Sequence, residues 1–265
     1  MKLFVTGGTG FVGSNFVNTA MRAGHEIVAL RRAGSVPRVS LGQEPSWVEG
    51  ALDSDLREGL KGCDALVHLA AHGVVELERD WKTSFYWNAE SVLGLCEQAH
   101  EAGIKYFIMG GSCFEYGRSA ERYEFIPIDA PLEPVTVYGA TKAAASVLLQ
   151  GWAADRKVSM QLMRIFHVYG EGEAETRLWP SLHQAAISGA DFEMTLGGQI
   201  RDFVYVKDVS ERLVEALSFD SVLAGQAVIK HVGSGNPTSI LEFSTYWWKK
   251  WEAKGKLRPG AIPYR

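Results

Sequence analysis

Two short stretches hold side chains able to do chemistry. GGSCFEYG, residues 110–117, brings Ser112, Cys113, Glu115 and Tyr116 within five positions. A cysteine between a serine and an aromatic invites a thiol-nucleophile reading. No motif places a histidine base beside Cys113, so no thiolate-activating arrangement is evident. YGATK, residues 138–142, opens a helical run and sets Tyr138 and Lys142 four apart, on one face. A free tyrosine titrates near about 10, and a nearby ammonium lowers that value by stabilising phenolate. Each unit of lowering takes roughly 1.4 kcal/mol of differential interaction. By itself YxxxK also describes an exposed helix face.

These side chains need elements to hold them. LFVT (3–6), IVAL (27–30), WVE (47–49), ALVHLA (65–70), YFIMG (106–110) and MQLMRIF (160–166) read as strands. Amphipathic runs separate them, including a long helix over about 80–102 and another over 138–155. Strands alternating with helices predict parallel βαβ units and an α/β, doubly wound parallel sheet. After Phe166 the rhythm loosens. A helix around 179–188, a strand at FVYV (203–206), a helix at 208–219, a strand at AVIKHV (227–232) and a helix from Ser239 follow. The division expected is a nucleotide-binding domain over 1–166 and a smaller substrate cap over 167–265, some of whose segments pack back on the first domain.

TGGTGFVG (6–13) falls between the first strand and the first helix. Gly7, Gly10 and Gly13 have the spacing GxxGxxG. Glycines there permit a tight turn and close approach of backbone to a pyrophosphate, and the helix N-terminus offers N–H donors. Dinucleotide binding is expected. The second strand of such units commonly ends in an acid for the ribose 2′-OH. Here Arg31 and Arg32 follow IVAL. Guanidinium suits a 2′-phosphate, so NADP(H) is favoured over NAD(H). Lys142 together with a cationic nicotinamide ring would supply the roughly 4 kcal/mol that brings Tyr138 to about 7.

Bulk composition excludes several classes. The chain has 265 residues, 46% hydrophobic and 22% charged, with net charge −4. Nothing there suggests a nucleic-acid or membrane partner. No run approaches the roughly 18 apolar residues of a membrane span, and MKLFVTGG is too short for a signal peptide. Three cysteines without CxxC spacing fit free thiols in a reducing cytoplasm, and no metal site is expected.

TGGTGFVG, HLAA (68–71), GGSCFEYG, YGATK and QIRDFVYVKDV (199–209), in this order, resemble the extended short-chain dehydrogenase/reductases. More narrowly they resemble the nucleotide-sugar epimerase/dehydratase/reductase group. The resemblance implies a Rossmann fold in which Gly7, Gly10, Phe11, Val12 and Gly13 hold the cofactor, with Arg31, Arg32, Leu69, Ala70 and Ala71 beside it. It implies that Ser112, four residues before Tyr116, binds the reacting sugar oxygen. Tyr138 would exchange its proton, and Lys142 would hold the nicotinamide ribose and tune Tyr138. Asn88 resembles the family's mid-helix asparagine, with a structural or proton-relay role. Arg201 resembles the arginine that clamps the substrate diphosphate. His167 stands where the family often has Asn, and Arg177 is a second phosphate candidate. Tyr116 and Glu115 become pocket-wall candidates.

Within that group, dehydratases carry an Asp-Glu pair after the catalytic Thr. This chain has Cys113 and Phe114 there, and on an extended segment Glu115 would point elsewhere. That leaves NADPH-dependent reduction of a nucleotide-linked 4-keto-6-deoxyhexose as the main expectation. NAD-dependent 4-epimerisation is the alternative, and a non-catalytic cofactor sensor the third. Two departures stand out. GALDSD has Ala51 where an acid is usual, leaving Asp53 for the adenine. Relatives usually continue past a segment like the terminal PYR (263–265), so a shortened cap is expected. Trp81, Phe85 and Trp152 are candidates for a homodimer interface.

Overall fold

Near-continuous apolar strands need cover on both faces, and helices supply it. The computed structural model describes residues 1–74 and 80–264; Arg265, the last residue of PYR, lies outside them. The chain starts with β1 (Lys2–Thr6), α1 (Phe11–Arg22), β2 (Glu26–Arg31), β3 (Ser46–Glu49), α2 (Arg57–Leu60) and β4 (Ala65–His68). Next come α3 (Trp81–Phe85), α4 (Ser91–Glu101), β5 (Tyr106–Ser112), α5 (Val137–Arg156) and β6 (Ser159–Ile165). The remainder is β7 (His167–Tyr169), α6 (Leu178–Ser188), β8 (Phe192–Met194), β9 (Ile200–Tyr205), α7 (Val206–Glu215), β10 (Ala227–Val232), β11 (Pro237–Ser239), α8 (Ile240–Lys250) and β12 (Leu257–Pro259).

Seven strands form one sheet in the order β10-β6-β5-β4-β1-β2-β3. Every pairing in it is parallel. This is the Rossmann-type α/β fold expected from the alternation. Side-chain direction alternates along each strand and divides the core. Phe4, Leu66 and Phe107 face one layer with Leu95 of α4 and Trp152 of α5. Leu3, Val5 and Val67 face the other with Phe16 of α1 and Leu213 of α7. The strand order reverses at β1 and β4, and a crevice at the carboxyl ends of such strands is where ligands bind. TGGTGFVG, HLAA and GGSCFEYG all lie at those ends.

Two smaller sheets lie outside the large one: β12-β8 packs with α6 and α8, while Val168 of β7 and Val204 of β9, in β11-β9-β7, join the core layer of α1 and α7. Between them the chain returns to the large sheet: β10 extends it beyond β6, and α7 packs against α1. Three-residue strands such as β7, β8 and β11 are too short to show a period in sequence, and none was expected there. FVYV shifts as well, since β9 runs Ile200–Tyr205 and Val206 already begins α7.

The long helix expected over 80–102 is present but interrupted. Asp80 caps it, accepting from Lys82 N at 3.1 Å and Thr83 N at 3.4 Å. A π-helical turn, Tyr86–Glu90, then joins α3 to α4. Such turns redirect side chains inside a helix, often at functional sites. Here the turn carries Asn88 inward, where it is buried. Its Oδ1 accepts from His72 N at 2.8 Å, and its Nδ2 donates to His72 O at 3.1 Å and Thr141 Oγ1 at 3.0 Å. A helix-surface role for Asn88 is thereby excluded; it ties the segment after β4 to α5.

Trp152 is no surface aromatic. It is buried, packs edge-on against Phe107 at 5.3 Å, and donates Nε1 to Glu97 at 2.9 Å. Trp81 and Phe85 are exposed. Trp152→Ala should cost about 3–5 kcal/mol of stability, measured by urea unfolding; a change within about 0.5 kcal/mol would place Trp152 outside the core.

Candidate active site

At the phosphate end, β1 runs into Gly7 and the chain folds back so that Gly10 N donates to Gly7 O at 2.8 Å. A Cβ on Gly13 would lie 2.0 Å from Gly7 O, and one on Gly7 would lie 2.5 Å from Ala70 N. Backbone thus occupies the space that side chains would fill, and Leu69 and Ala70 press on the turn. α1 begins at Phe11 with no side-chain cap and no acid in its first turn. The N–H groups of Phe11, Val12 and Gly13 have no intrahelical partner and point out of the helix end. That cradle fits a pyrophosphate. Ala71 is exposed beyond it.

At the end of β2, Arg31 is engaged. Its Nη2 meets Glu49 Oε1 at 3.1 Å, and its guanidinium lies over the Trp47 ring at 5.1 Å. Arg32 is exposed and makes no ion pair among the described residues. Asp53 accepts from Tyr86 OH at 2.7 Å, so the π turn also fixes the segment after β3.

At the other end, Ser112 closes β5, and Tyr138 and Lys142 lie on the first turns of α5. Thr136 caps α5, its Oγ1 accepting from Gly139 N at 3.0 Å. A Cβ on Gly139 would lie 2.5 Å from Phe114 O, so α5 starts hard against the turn that follows Ser112. That approach brings the Tyr138 phenol beside the Ser112 side chain. Ser112 Oγ also accepts from Phe114 N at 3.2 Å. Lys142 is buried one turn further on.

Burial sets the proton affinities here. It pushes the Tyr138 phenol above its ordinary range; the nearby Ser112 hydroxyl opposes this, and Cys113 and Glu115 add to it. Lys142 is not among the groups that shift it, and the lowering expected in the sequence needs the cationic nicotinamide ring as well. Burial also lowers Lys142, with the Glu115 charge opposing. His68, at the end of β4, is held down to about 3 by burial, with Lys142 adding to the effect. Its Nδ1 bonds Thr6 Oγ1 at 2.7 Å. Cys113 is pushed up to about 12 by burial, so its thiol stays protonated. His68, Asn88, Lys142 and Ser146 line a cavity of about 10 Å³, the lower limit for a single water.

GGSCFEYG does not continue as an extended strand. Residues Cys113–Glu115 form a 3-10 turn. The turn sends Glu115 inward, where Oε1 accepts from Ser112 N at 2.8 Å. Oε2 accepts from Ser146 Oγ at 2.8 Å and from Arg164 Nε at 2.9 Å. Tyr116 is fully buried; its OH accepts from Arg164 Nη1 at 2.7 Å and also pairs with His231 Nε2. Neither residue is a pocket wall. Both belong to a buried polar cluster behind Ser112. The one clue in the sequence was Arg164, a charge inside the apolar MQLMRIF.

The residues expected on the substrate side converge. His167 opens β7, with Phe114 5.5 Å from it ring to ring and Tyr138 6.2 Å from Phe114. His167 is held down to about 4 by burial, with Arg201 and Arg177 lowering it further and Asp202 opposing. Its Nδ1 is buried without a hydrogen-bond partner among the described residues. Asp202 is occupied, accepting from Ser234 N at 2.7 Å and Gly235 N at 2.9 Å. Arg201 makes no ion pair among the described residues, so a surface pair with Asp202 is excluded. Arg177 Nε lies 3.7 Å from Glu173, whose carboxyl burial pushes up to about 7.

The NAD dependent epimerase/dehydratase family model matches residues 3–229. The chain belongs to that family, a family of enzymes. It is 28% identical over 261 residues to a UDP-glucose 4-epimerase of Corynebacterium glutamicum, covering 91% of this chain and 77% of that protein. A UDP-glucose 4-epimerase of Neisseria meningitidis serogroup B is 28% identical over 275 residues, covering 91% and 80%. Among solved structures, MoeE5 in complex with UDP-glucuronic acid and NAD is 27% identical with a TM-score of 0.82, covering 99% of this chain and 86% of that one. UDP-N-acetylglucosamine 4-epimerase from Methanobrevibacter ruminantium shares the fold at a TM-score of 0.88 and 22% identity, covering 100% and 86%.

A histidine whose folded-state pKa lies below its unfolded value of 6.5 binds fewer protons folded than unfolded. Stability contributed by neutral His68 is therefore present above pH 6.5 and lost as pH falls toward about 3. In His68→Asn, the amide oxygen can replace Nδ1 toward Thr6 without titrating. Thermal melts between pH 7 and 4 should show a shallower loss in that variant than in the parent; equal slopes would contradict a buried neutral His68.

Proposed function

We propose that the chain is an NAD-dependent epimerase of a UDP-linked hexose, working at the sugar C4 carbon. The observation that carries this is the Tyr138 phenol set beside the Ser112 side chain, with Lys142 buried one turn along α5. The likeness to UDP-glucose 4-epimerases supports the substrate class. It supports 4-epimerisation above the 4-keto reduction that Arg31 and Arg32 suggest in the sequence. NAD is the cofactor in this reading, because Arg31 is already committed to Glu49 and Trp47.

The cradle of Gly7, Gly10 and the N–H groups of Phe11, Val12 and Gly13 fits the NAD pyrophosphate, with Leu69, Ala70 and Ala71 beside it. When bound, NAD supplies reversible two-electron oxidation at the sugar carbon. Ser112 donates a hydrogen bond to the C4 oxygen. Tyr138 takes the hydroxyl proton as the carbonyl forms and returns it when the hydroxyl re-forms on the opposite face. Lys142 holds the nicotinamide ribose. Its charge, with that of the oxidised ring, lowers a phenol that burial holds high. Arg201 and Arg177 grip the diphosphate, and His167 donates to it from between them. The acid pair of a dehydratase has no counterpart, since Glu115 is turned away and paired with Arg164.

Reduction of a nucleotide-linked 4-keto-6-deoxyhexose remains the second reading, favoured by the exposed Arg32. Chromatography of UDP-glucose and UDP-galactose after incubation separates the two. Interconversion without added cofactor, with NAD released on denaturation, is expected. No interconversion, together with NADPH consumption by a 4-keto-6-deoxysugar nucleotide, contradicts the epimerase. Tyr138→Phe should lose about 10²- to 10⁴-fold in kcat while keeping bound NAD; a variant with parental turnover removes Tyr138 from the chemistry.

A further inference from the structure

We propose that Glu115 is a positioning residue for this reaction, its one carboxylate setting the Ser112 end of β5 against the Tyr138 and Lys142 face of α5. The proposal rests on the reading of those three side chains as the reacting group.

The geometry is a bridge. Oε1 takes the Ser112 backbone N–H at 2.8 Å, and Oε2 takes the Ser146 hydroxyl at 2.8 Å. Ser146 lies four residues past Lys142 and eight past Tyr138, so all three share a helix face. One rigid carboxylate thus reaches both halves of the site. Arg164 Nε at 2.9 Å prevents it from turning, and both partners are sealed from solvent. The carboxylate fits tightly, for a Cβ on Gly111 would lie 2.8 Å from Oε1. α5 is therefore held twice, by the close approach at Gly139 and by Ser146 two turns on.

The carboxylate also carries charge, which a spacer would not need. Lys142 is faced by Glu115 and by neutral His68; Tyr138 is faced by Ser112, Cys113 and Glu115. Cys113 keeps its proton, so Glu115 is the acid acting on both. Its field opposes loss of the Lys142 proton and opposes ionisation of Tyr138. Removing that charge lowers both groups, and both limbs of a pH–rate profile move to lower pH. Loosening the bridge alone moves neither.

Two variants separate these effects. Ser146→Ala cuts the bridge and keeps the charge; Glu115→Gln keeps the shape and an acceptor for Ser112 N–H but removes the charge. We expect Ser146→Ala to lose kcat about tenfold at unchanged KM and unchanged limbs. For Glu115→Gln we expect a loss of about 10- to 100-fold, with both limbs shifted to lower pH. The Tyr138 titration, read by ultraviolet difference against Tyr138→Phe without substrate, should shift the same way in Glu115→Gln. Parental kcat in Ser146→Ala overturns the bridge, and also decides the matter if Glu115→Gln does not fold. An unmoved Tyr138 titration in folded Glu115→Gln overturns the electrostatic part. A parent that fails to interconvert UDP-sugars counts against the epimerase reading alone, because the titration needs no substrate.

Discussion

A carboxylate and a guanidinium, both deeply buried, lie behind Ser112, and the site depends on them. Glu115 and Arg164 are 0% and 2% exposed. Taking two such charges out of water is expensive, and their attraction offsets it only if the remaining polar atoms are also satisfied. Ser112 N–H and Ser146 complete Glu115, and Arg164 Nη1 donates to Tyr116 OH and to the Ile128 carbonyl. Losing one partner of such a pair costs about 3–5 kcal/mol, a large share of a domain's usual 5–15 kcal/mol. Exposed pairs such as Arg57 with Asp55 are worth about 0–1 kcal/mol each. The buried cluster therefore outweighs the surface ion pairs in deciding where β5, β6 and α5 meet.

The sheet supplies the other half of the arrangement. Parallel strands β1, β4 and β5 end side by side, so the glycine turn, the Leu69–Ala70 backbone and Ser112 face one crevice. Close contacts fix the spacing: Gly13 against Gly7, Gly7 against Ala70, and Gly139 against Phe114. Asn88, swung inward by the π turn, joins the segment after β4 to α5. Phosphate cradle and proton-transfer groups are thus set by backbone approach and buried hydrogen bonds.

The large sheet was legible because its strands are apolar runs separated by periodic helices. The glycine turn between β1 and α1 and the shared helix face of Tyr138 and Lys142 were legible in local spacing, whereas Ser112 was picked out by the family resemblance. What escaped were features that depend on tertiary pairing. Glu115 looked like a pocket residue until the 3-10 turn and Arg164 claimed it. Arg31 suggested a 2′-phosphate, but Glu49 and Trp47, from the neighbouring strand, engage its guanidinium. Trp152 suggested an interface and is core. Burial of the Tyr138 phenol, which no local motif reports, pushes it above its ordinary range in the chain alone.

The most direct measurement is a crystal structure of this chain with NAD and a UDP-hexose. The account predicts the pyrophosphate on the N–H groups of Phe11, Val12 and Gly13, and the sugar C4 oxygen within hydrogen-bond reach of both Ser112 Oγ and Tyr138 OH. Glu115 should remain on Ser112 N, Ser146 and Arg164. A sugar lying with another carbon at Ser112, or Glu115 turned out to meet the substrate, would contradict it.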